Sequence, residues 1–278
     1  MILAFGRGGQ VGTELERLGA RVLGRRRADL SDPVAAGEAI HALRPAVVVN
    51  AAAWTDVDGA EAREADARAV NAVAPGVMAR ACHALGIPFV HISTDYVFDG
   101  SGDRPWRPSD PVAPLGAYGR TKAEGEALVR GAGGTHAILR TSWVVSPQGR
   151  NFARTMLRLG AERQALRVVD DQHGAPTPAR ALAEAAIAVG ERLARDPELS
   201  GTYHLSGTPD TTWAGVARAV MEAAGLACRI EPIPSAEYPT PAPRPLNSRL
   251  DCASTEAAFG IARPDWRAHL SSIVEAGA

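Results

Sequence analysis

A chain of 278 residues is long enough for one large domain or two smaller ones around a sizeable core. Apolar residues make up 46%, an ordinary share for a globular protein, and a formal net charge of −1 leaves no basic field for nucleic acid or an anionic membrane surface. The opening MILAFGRGG has too short an apolar run for a signal peptide or a spanning helix, and Cys82, Cys228 and Cys252 form no CxxC pair, so a reducing cytoplasm is expected.

In chain order, ILAF (2–5) is the first predicted strand, with a helix over 10–18. RVLG (21–24) is the second strand, followed by a helix over 33–43. AVVVN (46–50), PFVHIST (88–94) and HAILRTSW (136–143) are further strands, separated by helices over 61–85 and 118–130. Short, fully apolar runs suit strands covered on both faces, and strand–helix alternation predicts an α/β fold with a doubly wound parallel sheet.

The second half predicts helices over 151–164 and 178–195, with Pro178 in a first turn, and a strand at TYHLSG (202–207). Thr211 or Thr212 can cap a helix through 213–224. Pro232, Pro234, Pro239, Pro241, Pro243 and Pro245 exclude regular structure from most of 231–251. A long structured loop of this kind in a compact enzyme often touches ligand. The histidines show no metal-ligand spacing; His91 reads as a buried strand residue, Cys82 as core, and Trp213 as packing a helix start.

FGRGGQVG follows the first strand, with Gly6, Gly9 and Gly12 spaced by three where a helix opens. Strand, glycine turn and helix together form the expected dinucleotide site. The first glycine permits the turn, the second lets backbone approach the pyrophosphate, and the third packs helix against strand while the helix N-terminus faces the anion. A site selective for NAD usually carries an acidic residue at the end of the second strand. Here that end reads GRRRAD, and Arg25, Arg26 and Arg27 favour a 2′-phosphate, hence NADPH with NADH as the alternative; Asp29 could still serve the adenosine.

Tyr118 and Lys122 in AYGRTK are one helical turn apart, on one face. Beside a nicotinamide, a tyrosine can give a proton to a carbonyl oxygen as hydride reaches carbon, and a neighbouring ammonium is expected to lower its pKa. Ser93 or Thr94, at the C-terminal end of the fourth strand, can offer a hydroxyl to the same oxygen.

Gly6-x-x-Gly9-x-x-Gly12, Asn50-Ala-Ala-Ala, Ser93-Thr94-Asp95 and Tyr118-x-x-x-Lys122, in this order, resemble the extended short-chain dehydrogenase/reductase family. The stretches VVVNAAAWTDVDGAE, STDYVFDGSGDRPW, NFARTMLRL, DDQHGAPT and YPTPAPRPLNSRLD extend the likeness, over nearly the whole chain, to family members that reduce dTDP-4-keto sugars. The resemblance implies Thr94, Tyr118 and Lys122 as the catalytic trio. It places Gly9, Gln10 and Val11 at the pyrophosphate, Arg25, Asp29 and Leu30 toward the adenosine, and Ala53, Trp54 and Thr55 beside the cofactor. Thr94, Asp95, Trp143, Arg244 and Asn247 fall on the substrate side.

Two features depart from the family pattern: Val145 stands where an aromatic residue is expected, and GRRRAD is shorter than usual. Family members can carry magnesium between subunits, and Glu14 matches one ligand position; no others are identifiable, and no metal site is assigned. The implied organisation is a cofactor-binding part over 1–145 with roughly 165–210, and a nucleotide-sugar part over roughly 146–164 and 211–278. A homodimer is compatible with it. The implied reaction is hydride transfer to the C4 carbonyl of a dTDP-6-deoxy-hexulose. A dehydratase would need a carboxylate pair after the threonine, and Tyr96 follows Asp95 instead; an epimerase is disfavoured by the C-terminal likeness. Reduction of a different dTDP-4-keto sugar, of the dihydrostreptose type, is the alternative, and a non-catalytic regulatory subunit that binds cofactor is the other class of reading.

Overall fold

Six parallel strands form the central sheet of this computed structural model, which describes residues 1–276. They are β1 (Ile2–Phe5), β2 (Arg21–Leu23), β3 (Val47–Asn50), β4 (Phe89–Thr94), β5 (His136–Thr141) and β6 (Gly201–His204). The order across the sheet is β6–β5–β4–β3–β1–β2, with Ala4 opposite Val22 on one side and Val49 on the other. Winding reverses between β1 and β3, so the crevice for a ligand opens at their C-terminal ends.

The apolar strands are buried because helices cover both faces. Leu15, Leu182, Ala186 and Val189 pack over Ala4, Val49 and Leu139 on one side, while Ile40, Met78 and Cys82 pack over Leu3, Val48 and Phe89 on the other. Each Leu, Ile, Val, Met or Phe among them that is buried in full stabilises the fold by ~1.5–3 kcal/mol. Helix starts follow local chemistry. Asp32 accepts from Val34 N at 3.2 Å ahead of Pro33–Leu43, and Thr212 accepts from Gly215 N at 3.0 Å ahead of Trp213–Ala223. Pro178 takes the extended position just before the helix Ala179–Leu193 instead of its first turn.

The helix expected over 61–85 is not continuous. Val57–Ala62 ends at Arg63, Glu64–Arg68 follows, and a π-helical turn at Ala69–Val73 leads into Ala74–Leu85. The strand expected to reach Trp143 stops at Thr141, and Trp143 itself adopts a left-handed φ of 47°.

A second core gathers Met156, Leu166, Val168, Val216, Val220 and Trp266. Residues 165–169, grouped by the sequence with the cofactor-binding part, pair in parallel with Arg229–Ile233 beside this second core. Pro232 is tolerated there because its strand has a neighbour on one side only. Among the described residues no helix is long and apolar enough to cross a membrane.

His204 on β6 ties the strand to the loop that follows β4, with Nδ1 3.0 Å from the carbonyl oxygen of Trp106. Burial, and then the Arg140 guanidinium, push its pKa down to about 3 from 6.5, and burial also holds His91 well below that value. A histidine depressed on folding opposes its own protonation, so stability is full above the unfolded value and declines as pH falls through it. The urea midpoint is expected to drop between about pH 7.5 and pH 5.5; an unchanged midpoint would contradict the neutral, buried rings.

Candidate active site

The glycine turn occupies the crevice between β1 and β3. Gly6 has φ +117°, and a Cβ there would stand 2.8 Å from the Ala51 carbonyl carbon, so only glycine fits so close to the segment after β3. Gly6 N and Arg7 N both donate to Leu23 O at 3.1 Å, which sets the turn beside the end of β2. Gly9 precedes the helix Gln10–Arg17, and no side chain caps it. Its first-turn N–H groups are therefore free to face an anion. A Cβ on Gly12 would lie 2.0 Å from the Gly6 carbonyl oxygen. Gly12→Ala must displace the turn, and NADPH affinity, read by fluorescence titration, is expected to fall by at least about tenfold; unchanged binding would mean that the phosphates do not sit on this turn.

Gln10 and Val11 open the helix that follows the glycine turn. Val11 is buried in the core, while the Gln10 amide reaches across to Val144 O at 3.2 Å and accepts from Ser146 Oγ and Asn151 Nδ2 at 3.0 and 2.9 Å. That side chain fastens the cofactor turn to the segment leading into the second core. Arg25, Arg26 and Arg27 are exposed on the turn after β2; Asp29 accepts from Ser31 N at 3.0 Å, and Leu30 is buried behind them.

Ala53, Trp54 and Thr55 follow β3 on the other side of the crevice. Their posture is set by Asn71, whose Oδ1 accepts from Trp54 N at 2.8 Å while its Nδ2 donates to Trp54 O at 3.1 Å. The same Nδ2 reaches Thr121 Oγ1 at 3.1 Å, and Thr121 in turn donates to Tyr118 O at 2.9 Å. The π-helical turn that interrupts the helix carries Asn71, and it links the cofactor side to the helix Ala117–Gly131 that bears Tyr118 and Lys122.

Thr94, Tyr118 and Lys122 come together at the C-terminal end of β4, all buried. Between the two candidate hydroxyls, Ser93 Oγ is committed to Glu126 at 2.6 Å, which leaves Thr94 as the one facing the site. Thr94 Oγ1 accepts from Tyr96 N at 3.2 Å and donates to Asp95 Oδ1 at 3.1 Å, beside the Tyr118 phenol. The Ala117 N–H that opens the helix donates to Glu61 Oε1 at 2.8 Å, so Glu61 fixes the approach of Tyr118.

The expected lowering of the Tyr118 pKa by Lys122 does not hold. Burial raises the phenol to about 12, against a smaller opposing pull from Thr94. Lys122 points elsewhere: its Nζ donates to Ile92 O at 2.7 Å and lies 3.2 Å from His91 Nε2. Burial also brings Lys122 itself down to about 8.

On the substrate side, Asp95 is buried with Oδ2 lacking a hydrogen-bond partner, and burial raises it to about 6. Trp143 stacks on Trp213 with ring centroids 3.7 Å apart, so Trp213 packs at its helix start against another indole. Val145 is buried in the second core. Arg244 Nη2 is paired with Asp58 Oδ2 at 2.8 Å, which clips the proline-rich loop over the segment after β3. The Asn247 amide is engaged within the protein: Nδ2 donates to Arg104 O at 2.8 Å, and Oδ1 accepts from Arg249 Nε at 2.9 Å. Glu14 is paired with Arg17 at 2.7 Å and Arg180 at 3.8 Å. Among the described residues no three His, Cys, Asp or Glu side chains gather as metal ligands.

A glycine turn at the switch point and a hydroxyl–phenol–amine centre at the end of β4 define a Rossmann-type reductase. The family model described as the RmlD substrate binding domain matches residues 1–278, and the chain belongs to that family. It is 46% identical to a dTDP-4-dehydrorhamnose reductase of Burkholderia thailandensis, over 96% of this chain and 95% of that one. A crystal structure of a dTDP-4-dehydrorhamnose reductase from Clostridium acetobutylicum superimposes with a TM-score of 0.91 at 32% identity, covering 99% of this chain and 98% of that one. One from Bacillus anthracis, in complex with NADP, gives 0.89 at 29% identity over 98% and 97% of the two chains.

Proposed function

We propose that this enzyme reduces the C4 ketone of dTDP-4-dehydro-L-rhamnose with NADPH, forming dTDP-L-rhamnose for cell-envelope polysaccharide. The observation that carries this reading is the convergence of Thr94, Tyr118 and Lys122 at the crevice of a chain whose relatives are dTDP-4-dehydrorhamnose reductases. Bound nicotinamide supplies the hydride. Tyr118, held protonated at neutral pH by burial, donates its phenolic proton to the oxygen that becomes the C4 hydroxyl. Thr94 offers a hydrogen bond to the same oxygen as negative charge develops there. Lys122 orients the cofactor ribose and, once charged, favours the tyrosinate left behind. Exposed Arg25, with Arg26 and Arg27, supports NADPH over NADH.

We assign 1–145 with 179–204 to the cofactor-binding part and the second core, including 165–169, to the sugar nucleotide. Asp95, Trp143 and Arg244 are proposed to face the sugar nucleotide, and Asn247 to hold the loop that carries Arg244. Val145, where the family pattern expects an aromatic residue, favours a second reading, reduction of a different dTDP-4-keto sugar. Loss of NADPH absorbance with each sugar separates the two. The first reading expects kcat/KM at least about tenfold higher for dTDP-4-dehydro-L-rhamnose, and a reversed ratio favours the second.

A further inference from the structure

Asn50, at the end of β3, and His91, within β4, are fully buried and take no part in the steps above. Four contacts join them to Lys122 in a row. The Ala52 N–H donates to Asn50 Oδ1 at 3.1 Å, Asn50 Nδ2 lies 3.1 Å from His91 Nδ1, His91 Nε2 lies 3.2 Å from Lys122 Nζ, and Nζ lies 2.7 Å from Ile92 O.

The position of each hydrogen follows from the ends of this row. A backbone N–H can only donate, so the Asn50 oxygen faces Ala52 and its NH2 group faces the ring. An NH2 group can only donate, so His91 Nδ1 accepts and the ring carries its hydrogen on Nε2. That N–H points at Lys122, which must accept it while donating to Ile92 O. A neutral amine can do both; an ammonium has no lone pair with which to accept.

We propose that Asn50 and His91 form a positioning relay that accommodates Lys122 as a neutral amine and couples its charging to the segment after β3. When Lys122 takes up a proton from solvent, it can only donate to His91. The ring stays neutral and moves its hydrogen from Nε2 to Nδ1, and the Asn50 amide must then turn away from Ala52. Ala52 begins the segment carrying Ala53, Trp54 and Thr55, so the charge on Lys122 and the posture of the cofactor side change together.

The charged and titratable surroundings fit this relay. Glu126, one turn further along the same helix, favours the ammonium, but it is held by Arg140 from β5 and by Arg130. Tyr118 lies one turn earlier and Asp95 follows β4, and both stand high in pKa through burial. Burial, with Lys122 beside it, keeps the His91 ring neutral, as a relay with a single hydrogen requires.

The role given to Lys122 rests on the proposed reduction, but the relay can be read without substrate. Nitrogen NMR of the cofactor-free chain, labelled in its histidine rings, locates the His91 hydrogen. It is expected on Nε2 at about pH 9.5 and on Nδ1 at about pH 6.5, with a crossover near the Lys122 value of about 8. Lys122→Met should keep it on Nε2 throughout. One tautomer at every pH, a doubly protonated ring, or a crossover that survives Lys122→Met would each overturn the relay.

His91→Gln adds a kinetic readout, because its carbonyl oxygen can accept from an ammonium. The alkaline limb of kcat/KM is expected to move up by about one pH unit; a lower kcat with the limb unmoved is what a purely structural role gives, and would overturn the proposal. Failure to reduce the dTDP sugar at all would remove the proposed function and leave the tautomer measurement to decide the relay.

Discussion

Tyr118→Phe is expected to lower kcat by about 10²- to 10⁴-fold while leaving the fold and NADPH affinity close to wild type. Phenylalanine keeps the edge-on contact with Tyr96, whose ring centroid lies 5.5 Å away, and fills the same buried space. What disappears is the proton donor beside Thr94. Since burial sets the phenol high, wild-type Tyr118 is an acid across the neutral range. The loss should therefore appear in kcat at every pH from about 6 to 8. A variant within about threefold of wild type in single-turnover rate would assign the proton to another group.

Arg140→Met is expected to cost about 3–5 kcal/mol of stability, the largest effect away from the reacting atoms. Arg140 grips Glu126 through two parallel contacts of 2.8 and 2.7 Å, with both side chains buried between β5 and the catalytic helix. Ser93 Oγ adds a third contact to the same carboxylate at 2.6 Å. Removing the guanidinium strands a buried carboxylate, whereas Glu126→Gln combined with Arg140→Met removes both charges and should recover much of the loss. Burial opposes ionisation of Glu126, but Arg140 and Ser93 more than offset it and hold the carboxyl below its usual 4.5. A group depressed on folding stabilises above its unfolded value and ceases to as pH falls through its folded value. The deficit in Arg140→Met is thus expected in full at neutral pH and should shrink in acid. Urea unfolding checks both points; a single variant costing under about 1 kcal/mol, or a double variant as unstable as the single, would contradict the pairing.

The strands after which the site is built were plain in the sequence because ILAF, VVVN and FVHIST are apolar enough to need cover on both faces, and the structure buries them in that way. The glycine turn was equally plain, since Gly6 and Gly12 meet backbone that no Cβ could share. The break in the helix expected over 61–85 was not. Residues 61–85 are rich in good helix formers, and only tertiary demand on Asn71, from Trp54 and Thr121, explains a π-helical turn there. The strand at 165–169 was likewise hidden, because its partner at 229–233 contains Pro232 and lies more than sixty residues away along the chain.

The electrostatics of the site were the least legible part. Tyr118 and Lys122 share a helix face, as their spacing requires, yet the amine is drawn to Ile92 O and His91 on β4, and no pattern of spacing reveals that choice. Glu61, Asn71 and Arg140 support the site from other elements, and neither they nor Glu126 on the catalytic helix carry a motif of their own. Asp58 and Arg244, 2.8 Å apart, show the same limit: 186 positions separate them, and only folding places the proline-rich loop over the segment after β3.

The most direct test of the proposed reduction uses NADPH deuterated at the transferable position of its nicotinamide, dTDP-4-dehydro-L-rhamnose and the full chain, with the label located in the product by NMR. Deuterium at C4 of dTDP-L-rhamnose is the expected result. Cofactor oxidised with deuterium elsewhere in the sugar, or the ketone returned unreduced under conditions where NADPH binds, would contradict it.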